Sequence, residues 1–324
     1  MNMRKRKKSF RKVIMSIITL LFVLFIGLVI YIGYTSKYKN INLEKLDVKL
    51  YIQAADNASI GKFQVNWKYI AAIDGVIYKN DFSKVTDENI NELANMFLEK
   101  NSTSIKVKTN DYKLVDLDVV LDKLSLDKSQ KEKVNDYIED LKYIGSKKNN
   151  LKDASKQQFI QGIYTEAAEI YGKYGVLPSV SIAQAILESG WGKSELSTQA
   201  NNLFGIKADV SWKGKKIKMN TSEYYNKKIA DNFRVYNSNE ESIKDYGEFL
   251  NNNKRYKQSG IFESTQYLEQ AKAMEKSGYS TVENDKGEEI YSKLLIDIIQ
   301  EQNLQLLDYE CEMNLFKSNE QYCN

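Results

Sequence analysis

The feature that most constrains the fold of this chain is its shortage of helix-breaking residues. Among 324 residues there is one proline, Pro178, and there are 16 glycines. Because proline and glycine interrupt helices and mark turns, this scarcity predicts a mainly helical protein without proline-rich linkers. The length exceeds that of one typical domain and suits an anchor followed by two domains.

The N-terminus combines a cluster of cations with an apolar run. Residues 1–12 contain seven Lys or Arg residues and no acid, and residues 13–34 are all uncharged. About 20 apolar residues span a bilayer as a helix, and flanking cations stay inside. We therefore predict a cytoplasmic basic segment over 1–12 and a transmembrane anchor over 13–34. The predicted localisation is the cell membrane, single-pass with the N-terminus inside, with the bilayer as a partner and residues 35–324 facing the cell wall. The alternative is a cleaved signal peptide, whose apolar region is usually about 7–15 residues.

Charge and composition exclude several classes of function. The formal net charge of +4 becomes −3 once the seven N-terminal cations are set aside, so the body has no basic footprint and we predict no nucleic-acid binding. The chain has no histidine, which excludes triads that use an imidazole base and most zinc hydrolase sites. We expect no metal and no other cofactor, and acid–base chemistry must come from other side chains.

The middle of the chain has helical patterns without recognisable chemistry. Apolar residues repeat at helical spacing over Thr86–Lys100, with Thr86 at the predicted N-terminus. We predict a small helical module of unknown role over residues 41–145, and the polar stretch 146–156 marks the boundary to the next domain.

The next domain is predicted over residues 157–303 and is followed by a C-terminal tail over 304–324. Both cysteines, Cys311 and Cys323, lie in this tail. Outside the cell they either form a disulfide or remain two free thiols.

The most informative helix begins at Pro178, which suits a first turn because its missing N–H costs nothing there. On this helix Ser181, Gln184 and Glu188 share a stripe away from the predicted core stripe. Glu188 precedes Gly190, a natural helix stop, and a helix C-terminus with apolar neighbours disfavours a carboxylate. The predicted pKa of Glu188 is therefore raised, as a general acid requires. Periodicity alone is better explained by a solvated surface glutamate.

An ordered series of motifs resembles the glucosaminidase family, glycoside hydrolase family 73. The motifs, in chain order, are AQAILESGWGKS (183–194), NNLFGIKA (201–208), W-x-G (212–214), T-x-E-Y (221–224), FRVY (233–236), ESIKDYGEFL (241–250), RY (255–256) and SGYST (277–281). Each motif alone is weak, but their order over about half of the chain is specific. After Thr281 the chain departs from the family pattern, since VENDKGEE intervenes before Tyr291.

The resemblance implies a lysozyme-like, mostly helical fold with a short β-hairpin beside the cleft. By that resemblance Glu188 matches the catalytic acid, Glu223 on the hairpin matches the second acid, and Tyr279 matches the tyrosine of the G-Y pattern. Residues expected to bind substrate or shape the cleft are Gln184, Trp191, Asn201, Asn202, Phe204 and Tyr224. The NNLFG pattern also suits a turn whose amide side chains bond backbone, with the phenylalanine in the core.

The implied activity is that of an endo-β-N-acetylglucosaminidase that cuts GlcNAc-β-1,4-MurNAc in peptidoglycan glycan strands. Two carboxyls suit glycoside cleavage, and the acetamido group of the substrate can replace the second one. One alternative is a lytic transglycosylase of the same superfamily, which needs no water-activating acid, so Glu223 favours hydrolysis. The other alternative is a non-catalytic protein that binds or assembles the cell wall and keeps the fold.

Overall fold

A computed structural model of the chain describes residues 15, 17, 19–28, 39–100, 111–147, 153–223 and 227–321. Over these residues the protein is mainly helical and has two small antiparallel sheets of two strands each. This architecture is consistent with a lysozyme-like fold. Two large hydrophobic cores are present, one built from residues between 41 and 141 and the other from residues between 160 and 311. The domain boundaries given above stay predictions.

One part of the predicted architecture is wrong. No helix in the described parts of the chain is both long enough and apolar enough to cross a membrane. This finding contradicts the transmembrane helix and the single-pass localisation with the N-terminus inside, and it gives no support to the bilayer as a partner. The basic segment 1–12 lies outside the described residues.

The first core belongs to a helical module in which polar caps set the helix starts. The side chains of Asp47, Asn66, Thr86 and Asp127 each accept a backbone N–H from the first turn of the helix that follows. The elements are α1 (Val48–Ser59), α2 (Trp67–Ile77), a 3₁₀ turn (Phe82–Lys84), α3 (Asp87–Asn95), β1 (Leu98–Lys100), β2 (Tyr112–Leu114), α4 (Leu117–Lys123) and α5 (Lys128–Asp140).

The helix predicted over Thr86–Lys100 is shorter than expected. Thr86 caps α3 as predicted, but the helix ends at Asn95 and residues 98–100 form β1. Leu98 pairs with Leu114 of β2. A partner strand that lies farther along the chain thus overrides the local helical pattern.

The second core belongs to the segment that carries the motifs. Its elements are α6 (Ala154–Tyr174), α7 (Pro178–Ser189), α8 (Glu195–Ala200), β3 (Lys216–Glu223), β4 (Lys227–Arg234), α9 (Asn239–Asn252), α10 (Lys254–Ser259), α11 (Tyr267–Lys276) and α12 (Tyr291–Gln302). Strands β3 and β4 form the predicted hairpin. The side chain of Arg234, at the end of β4, contacts both carboxylate oxygens of Asp245 in α9 at 2.9 and 2.8 Å. Both bonds come from one nitrogen, Nη1, and this charge-assisted pair joins the base of the hairpin to the helical body.

The C-terminal segment 304–324 contains a last helix, α13 (Gln305–Gln321), which joins the two cores. Its Asp308 accepts the backbone N–H of Ser179 at 2.8 Å, in the first turn of α7. One turn later, the buried carboxylate of Glu312 accepts the backbone N–H of Gln64 at 2.9 Å. Cys311 is buried in the same helix, whereas Cys323 lies outside the described residues, so the structure does not choose between a disulfide and two free thiols.

Candidate active site

Helix α7 carries Glu188 and is enclosed by other helices over most of its length. It begins at Pro178 and ends at Ser189, and the following Gly190 has a φ of 57°, the left-handed conformation that suits glycine at a helix end. Helices α6, α11, α12 and α13 all pack against it. Ser181 and Gln184 are therefore fully buried, although the sequence predicted that their stripe faces away from the core. Only the last turn of α7, with Glu188, opens to solvent.

The carboxyl of Glu188 lies in a setting that favours its protonated form. The residue as a whole is exposed, yet its carboxyl is closely surrounded by protein. Both properties are expected of a side chain that lines an open cleft. Burial raises the pKa of Glu188 above its usual range, and a hydrogen bond from Tyr291 acts in the opposite direction.

A chain of hydrogen bonds between buried side chains supports the carboxyl of Glu188. The hydroxyl of Tyr291 donates to Glu188 Oε1 at 2.7 Å. The same hydroxyl accepts from Gln184 Nε2 at 2.9 Å, and Gln184 Oε1 in turn accepts from the hydroxyl of Tyr246. Since the Gln184 amide already donates to the hydroxyl oxygen of Tyr291, the tyrosine proton is directed at the glutamate. The side chains of Tyr291, Gln184 and Tyr246 are fully buried, so the positions and directions of these hydrogen bonds are fixed.

Aromatic rings line the region next to this chain. Tyr279 stacks on Tyr291 with ring centroids 5.8 Å apart and an interplanar angle of 18°. Its hydroxyl donates to the backbone carbonyl of Phe204 at 3.4 Å. Phe204 stacks on Tyr246 with a centroid distance of 4.0 Å. The predicted site residues Tyr279 and Phe204 therefore lie in contact with the residues that hold Glu188.

The asparagine pair forms the turn that the sequence pattern suggested. Asn202 is buried, its Nδ2 donates to the carbonyls of Ile206 and Arg234 at 2.9 Å each, and its Oδ1 accepts the N–H of Ile206. Asn201 Nδ2 donates to the carbonyl of Tyr236 at 3.0 Å. Both amides are engaged with backbone, so they shape the loop that presents the phenylalanine of NNLFG.

Trp191 follows the glycine that ends α7 and has a positive φ of 65°. Its ring meets Phe159 edge-on at 6.0 Å, and the Lys156 ammonium lies 4.9 Å from its centroid. The half-buried indole therefore covers the end of the helix that carries Glu188.

The second predicted acid lies on the hairpin. Glu223 is the last residue of β3 and pairs with Lys227 of β4. The side chain of Glu223 and the whole of Tyr224 lie outside the described residues. Their roles stay predictions that rest on the resemblance.

Sequence reasoning missed the two tyrosines that matter most to Glu188. Tyr291 lies 103 residues away from Glu188 in the chain, directly after the segment where the family pattern is lost. Tyr246 lies inside the motif ESIKDYGEFL, and this position within a motif was the one signal that could have singled it out. Among the described residues, no group of three or more Cys, Asp or Glu side chains is arranged to hold a metal ion.

The arrangement can perform one chemical task well. A protonated carboxyl, open to solvent on one side and oriented by a buried tyrosine on the other, can give its proton to a leaving group. Beside it, the ring of Tyr279 is only half-buried and suits the apolar face of a sugar, whereas the rings of Phe204, Tyr246 and Tyr291 are buried.

The comparisons with known proteins point to the same chemistry. The family model Glucosaminidase, described as mannosyl-glycoprotein endo-beta-N-acetylglucosaminidase, matches residues 164–304. The exo-glucosaminidase LytG of Bacillus subtilis (strain 168) is 40% identical over 158 residues, which are 46% of this chain and 55% of the relative. The peptidoglycan hydrolase FlgJ of Vibrio parahaemolyticus is 36% identical over 137 residues, which are 39% of this chain and 43% of the relative.

Among solved structures, the catalytic domain of the autolysin Auto from Listeria monocytogenes is 33% identical, with 48% of this chain and 89% of that chain covered and a TM-score of 0.42. The chain spans about half the length of the curated relatives it matches. The matched residues include Glu188 and all of the tyrosines described above. Residues 164–304 therefore form a domain of the glucosaminidase family of glycoside hydrolases, family 73.

Proposed function

We propose that the protein is a peptidoglycan hydrolase, an endo-β-N-acetylglucosaminidase that cuts the GlcNAc-β-1,4-MurNAc bond with Glu188 as general acid. The observation that carries this proposal is the setting of Glu188, with a raised pKa and an ordered hydrogen bond from Tyr291. Peptidoglycan as substrate is supported by the relatives, since FlgJ is named a peptidoglycan hydrolase and LytG a glucosaminidase.

In the proposed reaction, Glu188 gives its proton to the glycosidic oxygen while the bond from that oxygen to C1 of GlcNAc breaks. The carboxylate that remains still accepts the hydroxyl proton of Tyr291, which stabilises the new negative charge. Positive charge at C1 is balanced by Glu223 on the hairpin or by the acetamido group of the same sugar. A water molecule then adds to C1, the proton that it loses passes to the carboxylate of Glu223 or of Glu188, and a reducing GlcNAc end is left.

Gln184 supports this reaction without touching the substrate. It is fully buried and reaches Glu188 through Tyr291. We therefore assign it a positioning role in place of the substrate contact that the sequence suggested. Tyr279, which is half-buried and stacks on Tyr291, is assigned to the wall of the sugar site. Phe204 is 4% exposed and packs in the core, so it supports this wall from within and does not contact the substrate.

Product analysis tests the proposal against its rivals. Purified peptidoglycan is digested and the fragments are identified by mass spectrometry. The proposal predicts reducing GlcNAc ends on fragments of mixed length. Anhydro-muramic ends would show a lytic transglycosylase. Release of single terminal sugars would show an exo-acting enzyme, which is how LytG is named. No cleavage would show a binding protein.

A further inference from the structure

The N-terminal module and the glucosaminidase domain meet through a cluster of buried polar groups, here called the junction cluster: Asp56, Gln64, Gln266, Tyr267 and Gln300. Asp56 and Gln64 belong to the module, which lies outside the residues that the family model matches. The other three belong to the helices of the glucosaminidase domain or to their caps. The carboxyl of Asp56 is the centre of the cluster, and the residue is 4% exposed.

Three side-chain donors converge on this carboxyl. The hydroxyl of Tyr267 donates to Asp56 Oδ2 at 2.6 Å, Gln300 Nε2 lies 3.4 Å from the same oxygen, and Gln64 Nε2 donates to Oδ1 at 3.3 Å. The backbone carbonyl of Asp56 also accepts from Gln266 Nε2 at 2.8 Å. Burial raises the pKa of Asp56 to about 7, and the hydrogen bonds act against that rise by favouring the carboxylate.

The two helices that Asp56 holds are the two that carry tyrosines to the active site. Tyr267 is the first residue of α11, and the chain that leaves α11 reaches Tyr279 within three residues of its end. Gln300 lies near the end of α12, and Tyr291 is the first residue of that helix. Both helices therefore run from the junction cluster to the tyrosines that stack beside Glu188.

The helices α11 and α12 are also tied to each other at both ends. At the junction, Gln300 Nε2 donates to the hydroxyl of Tyr267 at 2.9 Å. At the other end, the carboxylate of Glu275 accepts the N–H and the hydroxyl of Ser292 at 2.8 and 2.9 Å, directly beside Tyr291. A shift at the junction is therefore carried along a rigid pair of helices, because packed helices move as units and do not deform continuously.

We propose that Asp56 of the N-terminal module is a positioning residue for the catalytic centre. It acts through α11 and α12 on Tyr291 and so on Glu188, and this gives the module over residues 41–145 a role in the reaction. The inference rests on the proposed role of Glu188 as the acid.

The module offers a matched control for testing this. The hydroxyl of Tyr51 donates to Asp74 Oδ2 at 3.0 Å. Like the pair Asp56 and Tyr267, both residues are buried, but both lie inside the module. Loss of this hydroxyl disturbs the module without touching α11 or α12.

The experiment compares Tyr267→Phe with Tyr51→Phe in the full chain, on soluble glycan strands, at a temperature where both are folded. For Tyr267→Phe we expect kcat to fall about tenfold at nearly constant KM, since a displacement of about 1 Å from a distant change can cost about 100-fold. We also expect the alkaline limb of its pH–rate profile to move to higher pH, because a weaker bond from Tyr291 lets the pKa of Glu188 rise. Tyr51→Phe should keep the wild-type kcat and pH profile. If both variants match the wild type, or both lose activity in proportion to lost stability, Asp56 has no positioning role.

A double variant sharpens the test. If Tyr267 acts through Tyr291, Tyr267→Phe should cost little further activity in a Tyr291→Phe background, whereas independent effects would multiply and overturn the proposal. Should Tyr267→Phe fail to fold, Gln300→Leu removes a second donor from the same cluster and is judged by the same readouts. Glu188→Gln is measured alongside: if it is inactive while Tyr267→Phe behaves as the wild type, the role of Asp56 alone is lost. An active Glu188→Gln overturns the proposed function and this inference with it.

Discussion

The interior of the N-terminal module and the candidate active site contain the same pair of groups in different settings. In the module, Tyr51 donates to Asp74 at 3.0 Å, and both residues are buried in the core. In the candidate active site, Tyr291 donates to Glu188 at 2.7 Å, and the glutamate reaches solvent. Burial raises the pKa of both acids, that of Asp74 to about 6.

The difference between the two pairs shows what makes one of them a site. A tyrosine and a raised pKa are common to both, so neither feature marks catalysis by itself. Glu188 differs because its pair lies at the open end of a helix and beside stacked aromatic rings. Access for a substrate therefore separates the proposed acid from its counterpart in the core.

The largest loss of activity is expected from a change in Glu188, whose pair with Tyr291 is open to solvent. Glu188→Gln keeps size and most hydrogen bonding but cannot donate a proton to a leaving oxygen, so peptidoglycan hydrolysis should fall by about 10²–10⁴-fold. Its thermal unfolding should match that of the wild type because the side chain lies outside the packed core. Turbidity loss of cell walls measures the activity, and Glu269→Gln, an exposed glutamate on α11, is the control that should remain active. A Glu188→Gln variant that still clears walls would move the acid elsewhere.

A smaller loss of activity is expected from a change in Tyr291, the hydrogen-bond donor to Glu188. Tyr291→Phe removes the donor that lowers the pKa of Glu188, so this pKa should rise further. The acid works in its protonated form, and activity is therefore present below its pKa and lost as pH rises through it. The alkaline limb of the pH–rate profile should move to higher pH, while kcat at neutral pH should fall about tenfold as the carboxyl loses its orientation. If the alkaline limb of the profile does not move, Tyr291 does not influence the pKa of Glu188.

A change in the buried pair of Tyr51 and Asp74 should lower stability and leave activity unchanged. Tyr51→Phe leaves a buried carboxylate oxygen of Asp74 without its tyrosine donor, which costs about 1–3 kcal/mol of unfolding free energy. Urea unfolding measures this loss, and wall hydrolysis at a permissive temperature should equal that of the wild type. Reduced kcat in a fully folded Tyr51→Phe protein would mean that the two settings are not independent.

Local signals in the sequence predicted the parts of the site that depend on local structure. Pro178 and Gly190 bound α7 as their backbone preferences require, and the amides of the NNLFG turn bond backbone as expected. The ordered motifs also led to the family. These features could be predicted because each is decided within a few residues.

Features that depend on distant contacts could not be predicted in this way. Four helices enclose α7, so the stripe of Ser181 and Gln184, which local periodicity placed away from the core, is buried. Tyr291 reaches Glu188 across 103 residues, and residues 98–100 became a strand because β2 offers a partner.

The central claim is that Glu188 donates a proton to the leaving group, and the leaving group itself provides the most direct test. Glu188→Gln and wild type are compared on glycan strands and on a GlcNAc oligosaccharide whose leaving group is dinitrophenolate, an anion that departs without protonation. The account predicts a loss of about 10²–10⁴-fold on glycan strands and a loss of less than about tenfold on the activated substrate. An equal loss on both substrates would contradict it, because a residue that only binds or orients the sugar is needed whatever group leaves.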